Sequence, residues 1–327
     1  MIRVGLQIPN FTYPGVAPDE LFERVAAVAT TAEASDFDAV MVMDHFYQLP
    51  HMGAPEQEML EAYTLLGALA ARTQRVLLGT LVTGVTYRNP ALLAKEVTAL
   101  DVISRGRAFL GIGAAWFDLE HRSLGFEFPP LRVRMEMLEE ALQICRMMFR
   151  DERPTFTGKH FRTEQAFNSP APVRPGGPPI MVGGSGERKT LRFVAQYADI
   201  WNGQCAWSEL PHKLEVLAGH CADFGRDPAE INKTAIGSLL LADTMEGALA
   251  KRNAWLAARG LTWDTMPEQL RSFTTARLAM GDPDAVGEQI QALLATGVDG
   301  FIFNMPADGW DLEAVAHAGE VLTKAAR

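Results

Sequence analysis

The sequence is poor in cysteine and has no long apolar run. Its 327 residues include 3 cysteines, Cys145, Cys205 and Cys221, an odd number at wide spacing. They cannot form a disulfide framework or a closely spaced thiolate pair for a metal, and a reducing cytoplasm is the expected compartment. No stretch of about 18 apolar residues occurs, and the start lacks a basic segment followed by an apolar core. Neither a membrane span nor a secretory signal is predicted.

Positive charge is also in deficit. The chain has 30 Lys plus Arg against 40 Asp plus Glu, a formal net charge of -10. Such a surface repels nucleic acid and anionic membranes, so neither is an expected partner, whereas a small-molecule substrate is. An anionic ligand would have to be held by a local basic patch or by a helix amino terminus.

Short apolar segments alternate with amphipathic helical segments along the whole chain. This alternation is typical of βα units around a parallel sheet. It predicts an α/β fold, a (β/α)8 TIM barrel with insertions in the βα loops, as a single domain over residues 1–327. A two-domain doubly wound protein is the alternative, although no break in composition supports it. The eight predicted strands are 3–8, 39–43, 76–82, 108–112, 180–182, 199–202, 235–241 and 300–304.

The helical segments carry start and stop signals. Asn89 and Pro90 form an N-cap followed by a first-turn proline, and Arg105 and Gly106 close the same helix. Several helices are apolar over a wide arc, which is compatible with a homodimer. Segments 47–61, 153–179 and 260–281 fit no βα unit and are the expected walls and lid of a substrate pocket. Their candidate wall residues are Tyr47, His51, Met52, Phe156, Phe161, Trp263, Met266 and Phe273.

The carboxyl ends of barrel strands meet at the face where active sites form. His45 follows the second predicted strand, where an imidazole can give or take a proton near neutral pH, although a structural histidine is the alternative. Asp44 beside it fits a loop cap equally well. The seven histidines show no HxH or HExxH spacing, and the segment 116–121 supplies carboxylates but one histidine alone, so no metal site is predicted.

Two glycine-rich turns follow predicted strands. One turn leads towards a helix and consists of Gly183, Gly184, Ser185 and Gly186. Its backbone N–H groups could hold a phosphate, and the alternative is a tight βα turn without a ligand. The segment GIGAAW at 111–116 has a tryptophan where a dinucleotide fingerprint has its third glycine, which argues against a Rossmann site. Gly113 could instead let a flat ring approach the backbone, with Trp116 lining that pocket, or it could serve packing.

A combination of motifs carries a family resemblance. The sequence has MVMDHF at the second predicted strand, GTLVTG and RNPALLAK at and after the third, GGSGER after the fifth, and GVDGFIFNMP at the last. Together these motifs, which extend over most of the chain, resemble the bacterial luciferase-like oxidoreductases, and more narrowly their coenzyme F420-dependent branch.

The resemblance implies a barrel with a planar flavin or 5-deazaflavin lying across the strand ends, and hydride transfer to or from that ring. It makes His45 the proton donor or acceptor, with Asp44 beside it in the cofactor pocket. It places a non-proline cis peptide near Leu81 and Val82, against which the ring rests, and brings Thr83 and Gly84 to the polar edge of the ring. The glycines at 183–186 then match the family's phosphate site.

The resemblance has one departure. Some deazaflavin-dependent sugar-phosphate dehydrogenases of this group place a glutamate acid where this chain has Trp116, so a second carboxylate catalyst is not predicted. The leading hypothesis is therefore an F420-dependent oxidoreductase acting on a small organic substrate. The alternatives are an FMN-dependent monooxygenase on the same barrel, a cofactor-binding protein without activity, and a metal-dependent hydrolase.

Overall fold

A barrel of parallel strands forms the centre of the molecule. The computed structural model describes residues 1–150 and 153–327. The strands are β1 (Val4–Ile8), β2 (Ala39–Val42), β3 (Leu77–Thr80), β4 (Thr83–Gly84), β5 (Leu110–Gly113), β6 (Phe156–Thr157), β7 (Arg162–Thr163), β8 (Ile180–Gly183), β9 (Ile200–Gly203), β10 (Asn232–Leu241), β11 (Leu278–Gly281) and β12 (Gly300–Asn304).

Helices pack around the outside of this barrel. None of them, in the parts of the chain that are described, is long and apolar enough to cross a membrane. They are α1 (Leu21–Ala34), α2 (Ala62–Arg72), α3 (Pro90–Ser104), α4 (Asp118–Leu124), α5 (Leu131–Phe149), α6 (Thr190–Tyr197), α7 (Leu210–Asp223), α8 (Met245–Ala257), α9 (Glu268–Thr275), α10 (Pro283–Leu294) and α11 (Leu312–Ala325).

The strand order confirms the predicted barrel. Neighbouring strands follow the order β3-β2-β1-β12-β10-β9-β8-β5-β4, all in parallel. Strands β3 and β4 are two parts of one barrel strand, interrupted at Leu81 and Val82, so the predicted continuous strand 76–82 is wrong there. A parallel bridge between Leu78 and Ala108 brings β3 against the start of β5 and closes the barrel.

Apolar side chains fill the barrel interior and the layer between barrel and helices. Met41, Phe109, Met181 and Ile302 belong to a buried cluster contributed by the strands. Gly79 makes room for Phe109, because a Cβ at that glycine would lie 2.6 Å from the phenylalanine ring. The interior is therefore a packed core, and an open site is left at the strand ends.

The helix signals are confirmed in detail. The side chain of Asn89 caps α3 by accepting from the amide of Ala91 at 2.9 Å, with Pro90 in the first turn. Arg105 ends the helix with a left-handed φ of 59°, and Gly106 follows at 88°. The cap signals thus placed both ends of this helix.

The three unassigned segments differ from one another. Residues 47–61 form neither helix nor strand, and residues 153–179 contain the small antiparallel hairpin β6–β7. The expectation that 260–281 fits no regular unit is wrong, because it contains α9 and strand β11, which extends the sheet by pairing with Ser238 to Leu241 of β10. Only alternate residues of β11 are buried, so its sequence lacks the continuous apolar run by which the other strands were predicted.

Candidate active site

A cavity of about 1420 Å³ opens at the carboxyl-terminal ends of the strands. Sites for drug-sized ligands are typically about 300–1,000 Å³, so this one has room for a cofactor and a substrate together. Most of the residues predicted for a cofactor or for catalysis line it. These are Asp44, His45, Leu81, Val82, Thr83, Gly84, Gly113, Trp116, Gly183 and Gly184.

His45 lies just after β2 and has one ring nitrogen already engaged. Its Nδ1 is 2.9 Å from Oε2 of Glu120, and its side chain is 12% exposed. The rings of Trp116 and Phe117 stand edge-on to the imidazole, each with its centroid 5.9 Å away. An ionised carboxylate can only accept, so Nδ1 carries the hydrogen and Nε2 remains as the free lone pair.

Glu120 is fully buried, and its carboxylate accepts four hydrogen bonds. Besides His45, the donors are the amides of Phe46 (2.5 Å) and Tyr47 (2.8 Å) and the hydroxyl of Tyr87 (2.6 Å). Burial alone would raise the pKa of Glu120, but the contact with His45 and the other donors outweigh it and lower the pKa. The carboxylate therefore stays ionised and fixes the imidazole.

Sequence reasoning missed Glu120 as the partner of His45. The two residues are 75 positions apart, and Glu120 lies on the short helix α4, which was not predicted. A second carboxylate catalyst was not expected because Trp116, four residues earlier in the chain, stands where some relatives have a glutamate. Glu120 is visible in the sequence, in the segment 116–121. The carboxylates of that segment were weighed only as metal ligands, and not as partners of a histidine.

The floor of the cavity is the backbone at Leu81 and Val82, which is held in place by hydrogen bonds from polar side chains. The Leu81–Val82 peptide bond is cis, as the resemblance implied. Gln7 donates to the carbonyl oxygen of Leu81 at 3.2 Å, and Asn304 donates to Gln7 at 3.3 Å. Ser238 in turn donates to Asn304 at 2.8 Å. Three barrel strands thus hold this floor through a chain of buried side-chain hydrogen bonds.

Two glycines leave space beside Val82. A Cβ at Gly113 would lie 3.0 Å from Cγ2 of Val82, and a Cβ at Gly183 would lie 3.0 Å from both of its methyl groups. Side chains here would displace Val82 and narrow the floor. The two glycines and Val82 therefore form a smooth, mostly apolar surface on which a flat ring can lie.

Threonine hydroxyls continue the floor behind this surface. Oγ1 of Thr83 lies 2.8 Å from the hydroxyl of Tyr63 and 2.9 Å from Oγ1 of Thr80. Thr80 donates to the carbonyl oxygen of Gly111 at 2.9 Å. Gly84 lies beside them, where a Cβ would come within 2.8 Å of the Tyr87 ring.

The glycine turn after β8 is only partly in the cavity. Gly183 and Gly184 line it, whereas Ser185 and Gly186 are not among the lining residues. The amide of Gly184 donates to Asn202 at 3.0 Å, and the hydroxyl of Ser185 accepts from the amide of Gln204 at 2.9 Å. Helix α6 begins four residues later, at Thr190. The phosphate role of this turn stays a prediction.

Asp44 is the one carboxylate among the described residues that line the cavity, and the part lined by the cations Lys251, Arg259 and Arg277 is called the outer cavity here. Lys251 is paired with Asp308, and Arg259 donates to the carbonyl oxygen of Met52. Arg277 stacks on Phe273, with its Cζ 3.5 Å from the ring centroid. Its Nη2 is buried and has no hydrogen-bond partner among the described residues.

Four of the eight predicted wall residues line the cavity: His51, Met52, Met266 and Phe273. The other four do not. Phe156 and Phe161 pack against the main core, so the prediction that segment 153–179 forms a cavity wall is wrong. Trp263 borders a separate shallow depression and has the guanidinium of Arg252 4.4 Å from its ring centroid. Aromatic composition does not distinguish a cavity wall from a packed surface loop.

The described residues contain no group of three or more His, Cys, Asp or Glu arranged to hold a metal ion. At the site, His45 keeps one ring nitrogen, Nε2, that is not engaged by Glu120. The basic residues near the site are mostly engaged. Arg134, for example, directs its guanidinium to the carbonyl oxygens of Ala114 (3.0 Å) and Pro129 (2.9 Å).

Comparison with known proteins relates the chain to one family and to several curated enzymes. The family described as luciferase-like monooxygenase matches residues 2–300. An F420-dependent glucose-6-phosphate dehydrogenase of Kineococcus radiotolerans is 28% identical over 305 residues, covering 86% of this chain and 87% of that protein. An F420-dependent hydroxymycolic acid dehydrogenase of Mycobacterium tuberculosis is 28% identical over 296 residues, covering 88% and 80%.

Solved structures share the fold at low sequence identity. An F420-dependent secondary alcohol dehydrogenase in complex with an F420-acetone adduct superposes with a TM-score of 0.80 at 21% identity, covering 100% of this chain and 99% of that one. The EDTA monooxygenase of Chelativorans sp. BNC1 superposes with a TM-score of 0.81 at 15% identity, covering 99% and 93%. The barrel thus accommodates enzymes of both names.

Proposed function

We propose a function from the premise that this chain belongs to the luciferase-like monooxygenase family. Within that family it is an oxidoreductase of the coenzyme F420-dependent branch, to which several of its curated relatives belong by name. Our proposal is that it transfers a hydride between F420 and a small organic substrate, with His45 giving or taking the accompanying proton. The observation that carries it is the ordered His45–Glu120 pair, which faces the cavity beside a floor shaped for a flat ring.

The residues present fit a planar cofactor. The surface made by Val82 and the two facing glycines is smooth, and a Cβ at either glycine would crowd Val82 at 3.0 Å. Leu81, Thr83 and Gly84 complete that floor, with Asp44 at its edge. When bound there, a deazaflavin supplies a carbon that accepts or donates a hydride. The phosphate would lie at the glycine turn 183–186, which the cavity reaches at Gly183 and Gly184, although the Gly184 amide already donates to Asn202.

His45 performs the proton transfer in this proposal. With Nδ1–H directed at Glu120, the lone pair of Nε2 accepts the hydroxyl proton of an alcohol as it is oxidised, and the imidazolium returns a proton in the reverse direction. Glu120 stays ionised, which stabilises the imidazolium while it exists. Tyr87 keeps its own proton, since burial raises its pKa, and it therefore acts as a donor to Glu120.

The outer cavity supports a substrate with an apolar body and a hydrogen-bond acceptor. The apolar walls are formed by Met52, Met266 and Phe273. The guanidinium of Arg277, whose Nη2 has no partner among the described residues, provides a charged donor. A carboxylate or phosphate on the substrate would pair with Arg277 most strongly.

We also propose a reducing cytoplasm as the compartment, on the ground that all three cysteines are free and buried.

The alternative is an FMN-dependent monooxygenase, for which the same floor and the same fold would serve. Parallel anaerobic titrations of the purified chain with F420 and with FMN, read by tryptophan fluorescence, test the proposal. Trp116 lines the cavity and is 55% exposed, so a bound ring quenches it. We expect saturable quenching by F420 that is reduced in Trp116→Phe. Tight FMN binding without F420 binding would favour the monooxygenase.

A non-enzymatic binding protein is distinguished by His45. If the chain binds F420 without catalysis, His45→Gln leaves the behaviour of every tested substrate unchanged. Loss of turnover in that variant, with F420 binding retained, supports catalysis by the wild-type chain.

A further inference from the structure

A buried cation lies beside the His45–Glu120 pair and is not used by the reaction described above. Arg88 stands in the turn between β4 and α3, and its side chain is 9% exposed. Its guanidinium contacts three carboxylates. Nη1 is 2.6 Å from Oδ2 of Asp44, Nη2 is 3.1 Å from Oδ1 of Asp44 and 2.6 Å from Oε1 of Glu61, and Nε is 3.0 Å from Oε2 of Glu96.

These carboxylates belong to three different elements around the cavity. Asp44 follows β2 and is the immediate neighbour of His45, whereas Glu96 lies within α3. Glu61 is the N-cap of α2, where it accepts from the amides of Tyr63 (3.3 Å) and Thr64 (2.7 Å). One guanidinium therefore ties a strand end and two helices together at the rim of the site.

An aromatic ring fixes the plane of the guanidinium. Cζ of Arg88 lies 4.7 Å from the centroid of the Tyr63 ring. The hydroxyl of that tyrosine in turn contacts Thr83 in the cavity floor at 2.8 Å. A lysine could not reproduce this arrangement, because it has one nitrogen and no flat face to stack.

The cluster carries more negative than positive charge. Three carboxylates face one cation. Oε2 of Glu96 lies 3.0 Å from Nε of Arg88 but outside hydrogen-bond geometry, and it has no other partner among the described residues. Burial raises the pKa of Asp44, with the charge of Arg88 opposing it and that of Glu61 adding to it. Burial likewise raises the pKa of Glu96. Asp44 therefore depends on Arg88 for its charge.

We propose that Arg88 is a positioning residue, which anchors the carboxylate of Asp44 next to His45 through two hydrogen bonds. The groups that face Asp44 are Arg88, Glu61, Glu96, Tyr63, Tyr87 and the hydroxyl of Thr83. Arg88 is the one cation among them. Without it, Asp44 takes up a proton at higher pH and is free to leave the cavity rim.

The test is the titration of Asp44 in the full-length, cofactor-free chain. Selective ¹³C labelling of aspartate carboxyl carbons, with Asp44→Asn for assignment, follows this residue by NMR across pH. In Arg88→Gln we expect the Asp44 midpoint to rise by about one pH unit or more. An unchanged midpoint overturns the proposal.

Arg107→Gln is the matched control. Arg107 is also a partly buried arginine, but it donates to the carbonyl oxygens of Ala70, Thr73, Val76 and Ser104 and to the hydroxyl of Thr73 at the other end of the barrel. Its loss should leave the Asp44 midpoint in place. An equal shift in both variants would reflect general loosening of the fold and would also overturn the proposal.

Glu96→Gln provides a test of opposite sign, which is useful if Arg88→Gln does not fold. The Glu96 carboxylate repels that of Asp44 and shares its guanidinium, so the Asp44 midpoint should fall when Glu96 is neutral. A rise or no change contradicts the proposal. The shape of the side chain is nearly preserved in this variant, so the fold should tolerate it.

Turnover provides a separate measurement that rests on the proposed function. If F420-dependent turnover is observed in the wild type, Arg88→Lys should lower kcat about tenfold or more with a smaller change in KM, because it disturbs the neighbour of His45 rather than a substrate contact. The NMR titration needs no cofactor and no substrate. It therefore tests the role of Arg88 even if the chain turns over no F420.

Discussion

Nδ1 of His45 lies 2.9 Å from Oε2 of Glu120, although the two residues are 75 positions apart in the chain. The carboxylate is fully buried, and it also accepts from two backbone amides and from Tyr87. Its position is thus determined by the backbone of the segment that carries His45. The imidazole is held in one orientation and in one tautomer, which leaves Nε2 for the substrate.

Glu120→Gln should lower kcat for alcohol oxidation about a hundredfold or more while the protein stays folded. A glutamine oxygen can still accept from the amides of Phe46 and Tyr47, but its NH₂ then faces Nδ1 of His45. The imidazole must switch tautomer and place its hydrogen on Nε2, where it can no longer accept a proton. Steady-state kinetics and thermal unfolding measure the two effects.

Glu140→Gln is the control for that variant. Glu140 accepts from the amides of Lys159 (2.7 Å), His160 (3.0 Å) and Phe161 (2.9 Å), away from the cavity. Glu120→Gln should cost stability, of order 1–3 kcal/mol for a buried group left unsatisfied, and Glu140→Gln should cost less because Glu140 is only partly buried. The loss of kcat should be confined to Glu120→Gln. Equal kcat in the two variants would exclude a special role for Glu120.

The stability that Glu120 contributes should depend on pH. Its pKa in the folded protein is lowered below the ordinary value of 4.5, so the unfolded chain binds the proton first as the pH falls. The difference in unfolding free energy between wild type and Glu120→Gln is therefore full at pH 7 and shrinks below about pH 4.5. Urea unfolding across this range measures it. A difference that is constant or that grows in acid contradicts this assignment.

Gly113→Ala should weaken F420 binding about tenfold, which corresponds to about 1.4 kcal/mol. The added Cβ would lie 3.0 Å from Cγ2 of Val82 and would displace it into the surface on which the ring rests. Gly67→Ala, in α2, is the control, because nothing lies within 4 Å of the place a Cβ would take there and a helical alanine adds about 0.5–1 kcal/mol of stability. Fluorescence titration of both variants with F420 compares them. Equal affinities would show that the ring lies elsewhere.

Arg277→Met should raise KM about tenfold or more for a substrate that carries a carboxylate or phosphate, with little change in kcat. Arg277 lines the cavity, and in the proposed function its guanidinium binds the substrate rather than moving a proton. Arg259→Met is the control, because that guanidinium also lines the cavity but donates to Met52 and Trp255. KM values for a charged substrate and its neutral analogue separate the two roles. A fall in kcat alone would place Arg277 in catalysis instead.

The barrel and much of its site could be predicted from the sequence, because the signals involved are local. Apolar runs that alternate with amphipathic stretches give the strand order of a βα barrel, and residues just after a strand, such as His45, then fall at the site. The cis bond between Leu81 and Val82 was predicted from the family resemblance alone. No composition or periodicity at those residues indicates it.

The contacts between distant segments could not be predicted in this way. Glu120 meets His45 through the packing of the short helix α4, and Arg88 meets Asp44, Glu61 and Glu96 across three elements. Aromatic content was equally uninformative about Phe156 and Phe161, which pack on the core rather than on the cavity. Burial and pairing depend on tertiary structure, whereas hydrophobic periodicity reports which side of one element is covered.

The proton transfer assigned to His45 is the step on which the proposed function depends most. The measurement is the rate at which the absorbance of oxidised F420 is lost when the enzyme is mixed with a panel of alcohols, in wild type and in His45→Gln. We predict saturable loss in the wild type and a rate about 10²–10⁴ times lower in the variant, with F420 binding unchanged. Equal rates in the two proteins, or no absorbance change in the wild type while the FMN-loaded chain consumes oxygen, would contradict it.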